Sequence, residues 1–202
     1  MPESAEEVYA RVVAQVGEDG RLPMPPVHEW DVFPWEGEIG TKVLRPPVEH
    51  ETPRRGEEIG DPCWRCDNET KNAIWRNDDW LVTSTGDPPG LPLILFLESR
   101  EHMDFIDMGD EMASEWGRIS NHLHRIMSHL PNIGRVHVCK WGDGGFHLHT
   151  WFIARTARLP QVLGSYAAEW NEILPPVPED VWRADLATVA TKLANHDGEA
   201  LI

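Results

Sequence analysis

Gly142-Asp143-Gly144-Gly145-Phe146-His147-Leu148-His149-Thr150-Trp151-Phe152-Ile153-Ala154-Arg155 is the stretch on which the fold of this chain turns. Successive side chains of a strand point to opposite faces, so His147, His149 and Trp151 are expected in one row and Leu148, Thr150 and Phe152 in the other. A loop containing Gly142, Gly144 and Gly145 precedes them. Before that loop, Gly134-Arg135-Val136-His137-Val138-Cys139-Lys140 alternates as a strand should. Together they predict a β-hairpin with a glycine-rich connection and a histidine pair on its return strand.

Working outward, residues 110–130 carry Met112, Trp116, Ile119, Leu123, Ile126 and Leu130 at spacings of three and four, and Pro131 stops the pattern. This is a long amphipathic helix. Residues 74–83 read as two short strands about an Asn77-Asp78-Asp79 turn. Asp87-Pro88-Pro89-Gly90 is a second turn, and the apolar run 91–97 is a buried strand ending in Glu98-Ser99-Arg100-Glu101-His102. Downstream, residues 159–174 and 178–195 predict two further helices. Residues 3–16 predict an N-terminal one, with Val8, Val12, Val13 and Val16 as its stripe. Residues 22–62 are rich in proline and polar groups, with Trp30, Phe33 and Trp35 clustered, and read as an arm with a short strand or two. Its aromatics are expected against the main domain or a second subunit, which would make a homodimer. The division is therefore an arm over residues 1–62 and a domain over 63–202. Strands and helices mixed without βαβ regularity define an α+β class with an antiparallel sheet.

The chain has 202 residues, 41% hydrophobic, with 18 Lys plus Arg against 34 Asp plus Glu and a formal charge of −16. That balance disfavours nucleic acid and anionic membrane surfaces as partners. The first residues carry acids where a signal peptide carries bases, and no apolar run approaches the roughly 18 residues of a membrane span. A soluble, cytoplasmic protein is expected. In such a chain Cys63 and Cys66, two residues apart, point to metal or redox chemistry before a disulfide.

Two thiolates from one tight turn are half of a tetrahedral zinc site, and His102 and His147 are the best candidates for the other half. A metal holding His147 leaves His149 free at a fixed distance. A neutral imidazole there can act as a nucleophile on phosphorus. Gly142, Gly144 and Gly145 would let backbone N–H groups approach phosphate oxygens. Each piece has a bland counterpart: glycines make hairpin turns, and strand histidines are commonly surface residues. A rival cluster of His122, His124 and His129 on the long helix lacks the spacing of paired ligands and reads as a solvated face. Trp116, Trp170 and Trp182 read as core.

His147-Leu148-His149-Thr150-Trp151-Phe152-Ile153-Ala154-Arg155 resembles the signature of the histidine triad (HIT-like) superfamily. The upstream Cys-x-x-Cys, acidic turn, buried strand, Arg100-Glu101-His102 and helix agree in order, so the likeness spans residues 63–155. In metal pattern it is closest to the galactose-1-phosphate uridylyltransferase branch. The resemblance implies a HIT-like antiparallel sheet with a long helix, the C-terminal helices being additional. It implies Zn2+ held by Cys63, Cys66, His102 and His147, with His149 as catalytic nucleophile; Gly144 and Gly145 of the loop, and Trp151 on the histidine face, are the substrate contacts expected beside it. The implied activity is nucleotidyl transfer, or hydrolysis of a phosphoanhydride or phosphoramidate, on a nucleotide or phosphorylated metabolite. The alternatives are a non-catalytic nucleotide- or partner-binding protein, or a metal site recruited for other small-molecule chemistry. Two features depart from the family: the third triad position is Trp151, and the loop before His147 is short and lacks the Gln and Ser or Thr expected near phosphate.

Overall fold

In the computed structural model, which describes residues 3–15, 17–18, 35–36, 40–41 and 51–202, Ser4 opens helix α1 (Ala5–Val13) with a capping box. Its hydroxyl accepts from Glu7 N–H while the Glu7 carboxylate accepts from Ser4 N–H. Within the expected arm, β1 (Trp35–Glu36) and β2 (Gly40–Thr41) pair antiparallel. Trp30, Phe33 and the packing of the aromatic arm lie outside the described residues.

The elements that carry the core then follow in order: α2 (Trp64–Asp67), β3 (Ala73–Arg76), β4 (Trp80–Ser84), β5 (Leu93–Ser99), α3 (Asp110–Ser128), β6 (Ile133–Cys139), β7 (His149–Thr156), α4 (Ala167–Ile173), α5 (Glu179–Ala194) and β8 (Glu199–Ala200). Six strands form one antiparallel sheet in the order β6-β7-β5-β4-β3-β8. The α+β class with an antiparallel sheet and a long helix is what the structure contains.

Alternation sorts the sheet into two faces. Leu93, Leu95 and Leu97 of β5 and Leu148, Phe152 and Ala154 in and before β7 join Ile119, Leu123 and Met127 of α3 and Leu186, Val189 and Leu193 of α5 in one core. Thr150 shares that face and is satisfied by Trp116, whose indole N–H donates to its hydroxyl. Ile94 and Ile153 point the other way, into a smaller cluster with Val162, Ala167 and Leu174, against which Trp151 and Phe96 pack. Trp182 is core, and Trp116 and Trp170 lie against the two clusters, as expected of them.

Several boundaries differ from the sequence reading. The buried strand is Leu93–Ser99, two residues later than expected. Pro92 has no N–H for a ladder, while Glu98 and Ser99 find partners in Leu81 and Trp80. The return strand begins at His149, so His147 sits in the bend before it: Leu148 N–H donates to Met103 O, which holds the chain to the loop after β5. The helix expected over 159–174 is only Ala167–Ile173, because Gly164 takes φ +60° and breaks the path. β8, only two residues long, was not foreseen and extends the sheet beyond β3.

Asp185 of α5 lies beside a small cavity of about 20 Å3, lined by Val8, Pro92, Val177 and Val181 among others. Burial pushes its carboxyl up to about 6. A carboxyl whose folded pKa exceeds its unfolded value adds stability at low pH that is lost as pH rises through about 6. Asp185→Asn is therefore expected to stabilise the fold at pH 7.5. Discounted for its partial solvation, the gain is roughly 1 kcal/mol, or about 2–4 °C in Tm. Thermal melts at the two pH values check this: an equal gain at pH 4 would sink it.

Candidate metal centre and histidine site

Cys63 caps the N-terminus of α2 and Cys66 stands one turn on, so both thiols leave the same side of one short helix. His102 follows β5, and His147 precedes β7. Their four ligand atoms lie within 4.8 Å of one another. The Sγ atom of Cys63 is 3.3 Å from His147 Nδ1, and that of Cys66 is 3.5 Å from His102 Nδ1 and 3.6 Å from His147 Nδ1. Zinc bonds of about 2.3 Å to sulfur and 2.0–2.1 Å to nitrogen at a tetrahedral angle require S···N separations of about 3.5 Å. The donor set fits the ion in chemistry and spacing.

The far nitrogens support the same geometry. His147 Nε2 is 2.7 Å from Ser99 O and His102 Nε2 is 2.9 Å from Gly56 O. A carbonyl only accepts, so both rings carry hydrogen on Nε2 and turn a lone pair on Nδ1 toward the sulfurs. Burial lowers the pKa of His147, which favours the neutral, ligating form. Burial also pushes the Cys66 thiol up to about 11, with the hydrogen bond to and charge of Cys63 adding to it. A divalent cation beside the Cys66 sulfur is the group that offsets this.

Arg65, between the two cysteines, turns inward and is 7% exposed. Its guanidinium is 2.6 Å from Glu98 Oε2 and donates to the carbonyls of Asn68, Glu69 and Lys71. Glu98 Oε2 also accepts from the Thr83 hydroxyl at 2.6 Å. This buried ion pair straps the cysteine turn to β5, one residue before the Ser99 carbonyl that orients His147. Neither residue was singled out in the sequence. The signal was an acid directly after an apolar strand, at an inward position.

His149 faces Glu98 across the β5–β7 ladder, which places their Cβ atoms about 5 Å apart. His149 Nδ1 is 2.7 Å from the His147 carbonyl. By the same donor logic Nδ1 carries the hydrogen, and Nε2 presents its lone pair. Trp151 follows on the same face, edge-on to Phe96 at 4.5 Å and to Trp141 at 5.3 Å between ring centroids. Its indole N–H is buried without an acceptor among the described residues.

The glycine loop is pinned from a segment that the sequence reading left in the arm. Arg55 bridges to Gly145, and its carbonyl accepts from Phe146 N–H. Arg54 donates to Gly142 O and pairs at 2.5 Å with Asp104, which also binds Lys140 at 2.9 Å. Burial works to raise the Asp104 pKa, but Lys140 and Arg54 outweigh it and hold the carboxyl below its usual range. Gly144 is exposed and Gly145 half-buried. The helical histidines stay apart from this centre: His122 stacks on His196 at 4.0 Å, and His129 donates to Arg125 O.

The antiparallel sheet with its long helix is similar in fold to solved histidine triad proteins. Among solved structures, a hypothetical histidine triad nucleotide-binding protein from Sulfolobus tokodaii strain7 aligns with a TM-score of 0.50 at 10% identity, over 66% of this chain and 93% of its own. A histidine triad protein from Marinobacter aquaeolei VT8 gives 0.50 at 17% identity, over 64% and 94%. Another from Sinorhizobium meliloti 1021 gives 0.50 at 13%, over 62% and 93%. At these identities the likeness is one of fold. No protein-family model matches the chain, and no curated protein matches it. Among the described residues no helix is long and apolar enough to cross a membrane.

Proposed function

We propose that this chain is a zinc protein that binds a nucleotide or phosphorylated metabolite and carries out nucleotidyl transfer or hydrolysis through His149. The observation that carries the reading is the hydrogen bond from His149 Nδ1 to the His147 carbonyl, which leaves the ring's lone pair on Nε2. Nε2 would form a bond to phosphorus as the bond to the leaving group breaks, and the leaving group would depart with the electron pair and take a proton from solvent. The positive charge on the substituted imidazole would be shared with the His147 carbonyl through Nδ1–H. Water or an acceptor hydroxyl would then attack phosphorus, lose its proton to solvent and restore neutral His149. Gly144, Gly145 and the cationic groups on the adjoining segment would face the phosphate. Zinc, when bound, would supply a closed structural cross-link, since four protein ligands fill its shell. Support comes from the donor geometry and from the likeness in fold to the hypothetical histidine triad nucleotide-binding protein from Sulfolobus tokodaii. The order of the Cys63-x-x-Cys66 pair, His102 and His147 along the chain also resembles the metal pattern of the galactose-1-phosphate uridylyltransferase branch, a likeness that rests on the sequence alone.

Incubation with nucleoside diphosphate sugars, dinucleoside polyphosphates and nucleoside phosphoramidates tests this by intact mass and turnover. A nucleotidyl adduct is expected in the wild type. It should be absent in His149→Ala, with turnover reduced roughly a thousandfold. An adduct that persists without His149, or neither adduct nor turnover with any compound, overturns it. The second reading, a binding protein without turnover, is favoured by Trp151: an indole whose N–H is buried cannot serve as the third proton-transfer group. Ligand binding without turnover in the wild type would select it.

A further inference from the structure

The four donors of the candidate metal centre are unequally sheltered. Cys66 and His102 are exposed, Cys63 is half-buried and His147 is buried. A cleft of about 370 Å3 opens on the exposed pair, with Gly56, Pro62, Cys63, Cys66, His102 and Phe146 in its lining. A reagent of a few heavy atoms therefore meets the Cys66 sulfur first. The Cys63 sulfur is less open and stands 3.3 Å from His147 Nδ1.

The spacing of the two cysteines also suits a bond between them. Asp67 N–H donates to Cys63 O at 3.0 Å and closes the helical turn that holds both thiols. Residues three apart on such a turn have Cα atoms about 5 Å from one another, inside the range of about 4.4–6.8 Å that a disulfide spans. Their sulfurs already lie within 4.8 Å of each other in the ligand cluster. Arg65, between them, is held by Glu98 and by three carbonyls of the same turn, which keeps the turn on β5 whether or not the thiols hold a metal. Cys139, half-buried on β6, is outside the cluster.

We propose that Cys63 and Cys66 form a reversible oxidation switch on the metal centre, which a hydroperoxide throws by way of Cys66. The switch rests on the ligand set assigned above, in which a coordinating thiol is held as thiolate. The Cys66 thiolate attacks one oxygen of hydrogen peroxide, the O–O bond breaks, and the departing hydroxide takes a proton to become water. Cys66 is then a sulfenic acid. The Cys63 thiolate attacks that sulfur, the S–S bond forms as the S–O bond breaks, and the second hydroxide leaves as water with another proton. Two thiolates have given two electrons to one peroxide. Both sulfur donors are spent, and two imidazoles alone do not make the four-ligand shell that retains the ion. His147, freed from its anchor, stands in the bend from which His149 starts β7, so the histidine row loses its fixed end. A thiol reductant returns both thiolates, and the Arg65–Glu98 pair has kept them in place for reloading.

Titration of the chain, as isolated with its metal, with hydrogen peroxide tests this through zinc release to a chromogenic chelator, intact mass and peptide mapping after alkylation. One equivalent of zinc should be released per Cys63–Cys66 bridge, the mass should fall by two hydrogens, and the melting temperature should drop to that of chelator-stripped protein. Alkylation of Cys63 and Cys66 should decrease at least about tenfold while that of Cys139 holds. Brief exposure with a 1,3-diketone trap should label Cys66 and not Cys63. Dithiothreitol with added zinc should restore the starting mass and melt, and Cys139→Ser should respond as the wild type does. A chain that carries no zinc as isolated removes the ligand assignment, and the switch with it. A chain that carries zinc but keeps it under peroxide, is trapped at Cys63, loses Cys139 before the pair or forms the bridge with zinc still bound leaves the ligand assignment standing and overturns the switch.

Discussion

Stripping the metal with a strong chelator, or replacing Cys63 with Ser, is expected to lower the melting temperature by more than about 10 °C. The ligands come from the α2 turn, the segment after β5 and the bend before β7, pieces otherwise tied here by the Arg65–Glu98 ion pair and by the bonds of Leu148 N–H to Met103 O and of His147 to Ser99 O. The unfolded chain has no preformed site, so binding energy at a four-ligand centre becomes folding energy. Even a loss of several kcal/mol, well below the range for zinc-finger peptides, corresponds to about 10–20 °C in a chain of this size. His147→Ala should be worse than His102→Ala, because His147 is 7% exposed and lies near both sulfurs. Protein purified without added metal should contain about one equivalent of zinc by elemental analysis. Full occupancy and an unchanged melt in Cys63→Ser and His147→Ala would rule out this ligand set.

The ion pair inside the cysteine turn should behave asymmetrically. Arg65→Met leaves Glu98, 8% exposed, without its countercharge. Breaking one side of a buried pair costs about 3–5 kcal/mol, whereas neutralising both sides is far milder. Adding Glu98→Gln to Arg65→Met keeps an oxygen acceptor for the Thr83 hydroxyl. The double variant is therefore expected to recover most of the loss. Urea denaturation of the wild type, both singles and the double gives the cycle. Additive losses, or a single-variant cost below about 1 kcal/mol, would show that Arg65 is not the strap described above.

The long helix was legible because an unbroken three-and-four spacing from Met112 to Leu130 has one physical solution. The hairpin was legible for the same reason, its alternation matching the two faces that β7 presents. The four proposed ligands could be named because Cys63 and Cys66 are spaced as a metal-binding pair, and because His102 ends the buried strand and His147 opens the hairpin's return, and they do converge. The departure of His147 from the strand was hidden, since it depends on the Met103 carbonyl, which meets Leu148 only in three dimensions. Arg65 and Glu98 were hidden for a related reason: charged residues are expected at the surface, and only the folded sheet shows that they neutralise each other inside. The short α4 reflects one glycine conformation that helical periodicity does not reveal.

The middle of the sheet also dictates an order of events during biosynthesis. β5 pairs on one side with β4, its neighbour in the sequence, and on the other with β7, which the ribosome delivers only after all of α3 and β6. Until then the nascent β3-β4-β5 meander carries an unpaired edge bearing Leu93, Leu95 and Leu97, an invitation to intermolecular strand addition. Chaperone demand should therefore peak in the interval between emergence of Ser99 and emergence of Thr156.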